Sequence, residues 1–209
     1  MRLMRVAIAV MTHKGHEPKF SPCYAALLEH VIRLGPSYGV TEHSRAMPDF
    51  VSYPNVYRQK IFTTANHTGH THLLMLDDDQ TFPPDLLQCL LARNVQAIGA
   101  NYVHKTPPHE PIAVGLDNKT RIDSRGKTGV EKIGHIGFGL FLLDLKVLDR
   151  VPAPHFEILW NEATQDYVGQ DIYCCRKFRD HGIDIYVDHD LSQNVGHIGD
   201  YVYTLNSYK

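Results

Sequence analysis

With 209 residues, 43% of them hydrophobic and 21% charged, the chain is long enough to enclose a sizeable core and is neither disordered nor fibrous in composition. Its formal net charge of −2 exerts no global pull toward nucleic acid or an anionic membrane, so only a local basic patch would serve such partners. The four cysteines, Cys23, Cys89, Cys174 and Cys175, show no CxxC spacing and read as reduced thiols of a cytoplasmic protein. The apolar stretch at 6–11 is too short for a signal peptide or a membrane span, and no other segment qualifies.

In chain order, Val6-Ala7-Ile8-Ala9-Val10-Met11 is a continuous apolar run, which predicts a strand buried on both faces of a largely parallel sheet. A polar turn, Thr12-His13-Lys14-Gly15, follows it. Ser21-Pro22 starts a helix, Tyr24, Leu27, Leu28 and Val31 recur at helical spacing, and Gly35-Pro36 stops it. A second helix is predicted over 55–67, ending at Gly69. The apolar strand His72-Leu73-Leu74-Met75-Leu76 runs directly into Asp77, Asp78 and Asp79. Pro83-Pro84 opens a helix that buries Leu86, Leu87, Leu90 and Leu91, and 95–103 returns as a strand. Residues 104–111 form a loop, 117–129 are polar, and short strands are predicted near 111–115, 130–136 and 140–143. The spacing of Ile172, Cys175 and Phe178 predicts a helix over 169–181, followed by a strand at 184–188. Alternating strands and helices imply an α/β fold, a single domain with a central, mostly parallel sheet flanked by helices.

The aspartate cluster is the strongest chemical signal. Three carboxylates at the carboxyl end of a buried strand repel one another, and a divalent cation held by hard oxygen ligands relieves that repulsion. Ligands of open α/β sheets also bind beyond the carboxyl ends of strands. Aspartates favour helix starts too, so one of the three is equally read as a cap for the helix at Pro83-Pro84. Gly169-Gln170-Asp171 places a carboxylate in the first turn of a helix, where it either complements the helix dipole or acts as a general base. Gly196-His197-Ile198-Gly199 sets one of the fourteen histidines on tight backbone, as a metal ligand or an ordinary core histidine. Gly134-His135-Ile136-Gly137-Phe138-Gly139 permits close approach to a bound group or marks a bulge. It is not a GxGxxG fingerprint opening a helix, and neither a GxxxxGK[ST] loop nor a GxSxG elbow occurs.

Taken in order, these segments resemble the GT-A-fold, Rossmann-like glycosyltransferases, in particular the inverting family-two kind. The segments that carry the resemblance are 6–13, Tyr57-Arg58-Gln59, Leu73 to Asp79 with its Asp-x-Asp, Gly137-Phe138-Gly139, Gly169-Gln170-Asp171 and Gly196-His197. Two positions depart from the pattern: Gln170 stands where Glu is common, and Gln59 where Asn is common. The resemblance implies a nucleotide-sugar-binding half over 1–103 and an acceptor-binding, catalytic half over 104–209. It further implies Mn²⁺ or Mg²⁺ on Asp79 and His197, with Asp171 as the base that deprotonates an acceptor hydroxyl. Thr12, Arg58, Asp77 and Asp78 would bind the nucleotide sugar, and Gly137, Phe138 and Gln170 would lie near the donor sugar or acceptor. The acceptor itself stays open between a glycan, a lipid-linked compound and modified DNA. The compact size is similar to that of bacteriophage-encoded glycosyltransferases that act on hydroxymethylated bases, and Lys119, Arg121, Arg125 and Lys127 supply a basic loop. A metal-dependent phosphohydrolase or nucleotidyltransferase and a non-catalytic nucleotide-sugar-binding module are the competing readings.

Overall fold

The computed structural model describes residues 4–12, 17–34, 41–44 and 54–208. Strand β1 (Val6–Met11) is buried along its whole length, as its unbroken apolar run requires. Helix α1 (Phe20–Arg33) turns Phe20, Tyr24, Leu27 and Val31 into the core, which is the predicted stripe. It starts one residue before the expected Ser21 cap, with Lys19 at the N-cap and no side-chain bond there. The expected turn at 13–15 and stop at Gly35-Pro36 lie outside the described residues. Strand β2 (Thr41–Ser44) and helix α2 (Pro54–His67) follow. Gly69 ends the latter with φ +73°, a left-handed conformation that glycine adopts without penalty.

Next come β3 (His72–Asp77), the two-residue β4 (Gln80–Thr81), α3 (Leu86–Ala92) and β5 (Ala97–Ala100). The second half holds β6 (Val130–Ile133), β7 (Leu140–Asp144), the hairpin β8 (Leu159–Asn161) and β9 (Asp166–Val168), then α4 (Gln170–Asp180). It closes with β10 (Ile185–Asp188), the short α5 (His189–Ser192), β11 (Gly196–Ile198) and β12 (Val202–Tyr203). In α4 the buried stripe is Cys174, Cys175 and Phe178, so Cys174 takes the place expected for Ile172.

The main sheet has seven strands in the order β2-β1-β3-β7-β5-β10-β6. Strands β1, β2, β3, β5 and β10 share one direction, while β7 runs antiparallel to β3 and β5, and β6 antiparallel to β10. The antiparallel β7 in the middle of the sheet positions the site. It enters beside β3 where β3 leaves, with Leu140 opposite Leu76, and the Asp77 N–H donates to the Gly139 carbonyl at 2.9 Å. Helices flank this sheet: α1 packs with α3, and α2 meets α4 where Phe62 stacks on Phe178 at 6.4 Å. A second sheet, β12-β11-β4, pairs Gly196 with Thr81 and His197 with Gln80.

Ion pairs around one buried carboxylate tie α3 to the carboxyl end of β10. Arg93, at the carboxyl end of α3, donates to both oxygens of Asp188 at 2.8 and 3.0 Å and to Asp190 at 2.6 Å. Asp188 is fully buried and also caps α5 by accepting from the Leu191 N–H at 3.0 Å. Removing the guanidinium strands that carboxylate, so Arg93→Ala is expected to lower the unfolding free energy by about 3 kcal/mol in urea titrations. Asp188→Asn, which keeps the cap, is expected to cost less.

Candidate active site

The carboxyl ends of β1, β3 and β5, the entry to β7, the start of α4 and the middle of β11 meet at one edge of the main sheet. Thr12 follows β1 and is buried. The register pairs Met11 with Asp77, and the Asp78 N–H donates to the Met11 carbonyl at 3.0 Å. Thr12 and Asp78, both expected at a nucleotide, therefore lie at adjacent strand ends.

The three aspartates do not share one partner. Asp77 turns toward α2, where Arg58 Nη2 donates to its two oxygens at 3.0 and 3.2 Å. The other arm of the same guanidinium, Nη1, donates to Asp171 Oδ1. Arg58 is only 5% exposed, and burial pushes the Asp77 carboxyl up although Arg58 opposes this. Arg58, expected at the nucleotide, is thus committed to holding two carboxylates together. Asp171 Oδ2 accepts the Phe138 N–H at 3.3 Å.

Asp79 points the other way. Its Oδ2 lies 3.4 Å from His197 Nε2 and accepts from Lys105 Nζ at 2.6 Å. Burial alone would raise this carboxyl, but bonds from His197 and Lys105 outweigh it and bring the pKa down to about 2. His197 Nδ1 lies 2.8 Å from the Val103 carbonyl, which can only accept, so Nδ1 carries a proton and Nε2 is the nitrogen aimed at Asp79. The Ile198 N–H also donates to the Asp79 carbonyl at 2.6 Å, locking β11 against the aspartate turn.

An imidazole nitrogen and a carboxylate oxygen 3.4 Å apart are close to the separation of adjacent ligands on one divalent ion, roughly 3 Å for bonds of about 2.1 Å. A hard cation such as Mn²⁺ or Mg²⁺ fits between them, with the remaining positions left to phosphate oxygens and water. Among the described residues no group of three His, Cys, Asp or Glu side chains forms a complete cage. Such an ion would need its other ligands from substrate, and Lys105 would have to yield its place on Asp79. Lys105 went unnoticed in the sequence because a lysine in a proline-rich loop carries no pattern.

The glycine-aromatic segment works differently from expectation. Phe138 is fully buried, stacked on Phe141 at 4.1 Å and edge-on to Phe156 at 5.7 Å, so its ring belongs to the core and only its N–H faces the site. The glycines make room for Tyr102: a Cβ at Gly137 or Gly139 would lie 2.7 or 2.6 Å from the Tyr102 hydroxyl. Gly196 likewise lies tight against Thr81 and Val202. Gln59 departs from the pattern for a structural reason, since its amide oxygen accepts the His155 N–H at 2.6 Å and its nitrogen lies 3.1 Å from His155 Nδ1.

Beside Asp171 opens a cavity of about 590 Å³, lined by Gly137, Gln170, Asp171, His197, Tyr102 and the loop carrying Lys119 and Arg121. The basic loop is largely neutralised within itself. Arg125 binds Asp123 at 2.6 Å and the Tyr208 carbonyl at 2.9 Å, and Lys127 binds Glu131 at 2.8 Å. Lys119 and Arg121 alone of the four face the cavity.

Arg58→Ala leaves Asp77 and Asp171 facing each other without a cation and is expected to destabilise the fold by about 3–5 kcal/mol. Arg58→Lys is expected to rescue little, because one ammonium cannot serve two carboxylates as a planar fork does. His135 yields a prediction in pH: burial first, then Arg176, Arg121 and Arg179, lower its pKa from 6.5 to about 4. The unfolded chain binds that proton more readily, so this histidine costs nothing above pH 6.5 and the cost grows as pH falls toward 4. In urea titrations, wild type should therefore lose stability relative to His135→Asn across that window.

No family model matches the chain, and no curated protein does. Among solved structures, A197 from STIV aligns over 94% of this chain and 86% of its own, with a TM-score of 0.57 and 14% identity. The catalytic domain of Drosophila β1,4-galactosyltransferase 7, in complex with xylobiose, aligns over 94% of this chain and 71% of its own, with a TM-score of 0.54 and 12% identity. At these identities the likeness is one of fold, and the chain has a glycosyltransferase-like α/β fold.

Proposed function

We propose that this chain is a glycosyltransferase that moves a sugar from a nucleotide-sugar donor to an acceptor hydroxyl with inversion at the anomeric carbon. The observation that carries this reading is the convergence, at one sheet edge, of an Asp79–His197 pair with an Asp171 carboxylate held open to a cavity. The glycosyltransferase-like fold supports it.

Thr12, Asp77 and Asp78 form the nucleotide side of the site. Arg58 is a positioning residue that fixes Asp171 relative to β3. Asp171 Oδ2 takes the proton of the acceptor hydroxyl as that oxygen forms its bond to the anomeric carbon. The bond from that carbon to the donor phosphate breaks, and its electron pair leaves on the nucleoside diphosphate. Displacement in one step from the opposite face gives inversion. Asp79 and His197 would hold Mn²⁺ or Mg²⁺, which when bound supplies charge neutralisation for the departing diphosphate. The side chain of Gln170 lies on the acceptor side of the base, in the cavity wall.

The test is thermal stabilisation by a panel of nucleoside diphosphates and nucleotide sugars, with and without Mn²⁺. Saturating ligand at 100 times Kd is worth about 2.7 kcal/mol, or roughly 5–10 °C for a chain of this size. A Mn²⁺-dependent shift for one nucleotide is expected in wild type and is expected to vanish in Asp79→Ala and in His197→Ala. Asp171→Asn should keep the shift and lose transfer by roughly 10²–10⁴-fold. No shift with any ligand in wild type would sink the reading, and turnover of a nucleoside triphosphate without a sugar donor would favour a nucleotidyltransferase or phosphohydrolase.

A further inference from the structure

The cavity beside Asp171 has a composition that the proposed chemistry alone does not require. Two buried polar atoms in its wall have no hydrogen-bond partner among the described residues: His135 Nδ1 and Gln170 Oε1. His135 is 8% exposed. Leaving such groups unpaired costs about 1–3 kcal/mol each, and one common remedy is a bound group that pairs with them. An amide oxygen can only accept, so whatever satisfies Gln170 brings an O–H or N–H donor.

The charge in the same wall is one-sided. Lys119, Arg121 and Arg176 face the cavity, and its one acid, Asp171, is already paired with Arg58. Neither Lys119 nor Arg176 forms an ion pair among the described residues. Arg121 lies 3.2 Å from Glu110, a half-exposed carboxylate outside the wall, and Asp117 is turned back onto the Lys119 and Thr120 N–H groups at 3.0 and 2.9 Å. Burial first, and then the nearness of Arg176, Arg121 and Arg179, lowers the affinity of His135 for protons. Arg179 stands behind the wall, donating to Asn118 and to the Gly134 carbonyl at 3.0 and 2.9 Å.

Three cations together with an orphaned acceptor call for a ligand that has both anionic oxygens and hydroxyl donors. We propose that this cavity is the acceptor subsite and that the acceptor is a phosphate-bearing sugar or polyol. Lys119, Arg121 and Arg176 hold its phosphate, while Gln170 takes one of its hydroxyls and sets another against Asp171. The inference rests on the glycosyltransferase reading for the role of Asp171, but the anion-binding property belongs to residues outside the donor side. The volume of about 590 Å³ accommodates one phosphorylated monosaccharide with room to spare.

Titration calorimetry of the full chain tests this with paired probes, glucose 6-phosphate against glucose and glycerol 1-phosphate against glycerol. The phosphorylated member of each pair is expected to bind at least about tenfold more tightly, the scale of one or two charge-assisted hydrogen bonds. Lys119→Ala/Arg176→Ala, both exposed positions, is expected to erase that preference while leaving the nucleotide-induced thermal shift intact. Gln170→Ala should weaken the phosphorylated and neutral probes alike, which a purely electrostatic patch would not do. Equal binding of the two members of a pair, no binding by either, or a preference that survives the double variant would overturn the proposal. Weakened nucleotide binding in the double variant would assign the cations to the donor diphosphate and overturn it as well. So would a duplex oligonucleotide that binds through the same residues more tightly than the small phosphates. Failure of the nucleotide panel with phosphate preference retained would strike the donor reading alone.

Discussion

The geometry of the site depends on one buried guanidinium. Asp77 ends a strand and Asp171 begins a helix almost a hundred residues later, and both carboxylates project into the same small space. Without a cation between them they would repel and force α4 away from the sheet. Arg58 sits between them with one arm on each, and because its fork is planar and rigid it fixes the direction of both carboxylates as well as their charge. Its own burial is costly and is compensated only while both partners are present. The position of Asp171 relative to the strand end is therefore set before any ligand arrives.

Around this joint the aspartate cluster is divided, not shared. Asp77 is answered from inside by Arg58, Asp78 is tucked against the end of β1, and Asp79 faces outward to Lys105 and His197. Asp77 and Asp79 are thus stabilised by different partners in different directions, so no single ion has to neutralise both. The outward member is where a cation can be exchanged, since Lys105 is carried on a loop and is partly exposed. His197 is held on the opposite side by the Val103 carbonyl and by pairing of β11 with β4, so its ring has little freedom to follow.

Much of this frame was legible in the sequence, for reasons that also mark its limits. The strands that span the core are long apolar runs, and α1 to α4 show 3.6-residue periodicity or clear termini, so β1, β3, β7 and these four helices could be placed, whereas the four-residue α5 could not. The convergence of Asp77, Asp79, Asp171 and His197 was an expectation of the family resemblance that the order of the motifs carries. Strands β4, β11 and β12 were not legible, because two or three residues carry no period, yet β4 and β11 bring His197 to Asp79. Strand direction was invisible too: Leu140-Phe141-Leu142-Leu143 reads the same in either orientation, and only the fold shows that β7 runs backward. The glycines at 137 and 139 signalled close approach, but the sequence could not say that the approaching group is Tyr102.

The division between the two oxygens of Asp171 bears on how a base can work here. With Oδ1 clamped by Arg58 and Oδ2 accepting the Phe138 N–H at 3.3 Å, the plane of the carboxylate is fixed where Asp171 lines the cavity. A free aspartate would have to surrender rotamer freedom each time it met a hydroxyl. Here that freedom is already lost on folding, so in the proposed reaction approach of the acceptor would cost less entropy at the reacting centre. The same clamp demands that the acceptor be oriented from its own side. In the proposed reaction, the orphaned amide and three cations of the same cavity are suited to do this, because they would fix the acceptor at two chemically different points and leave its nucleophilic hydroxyl for Asp171.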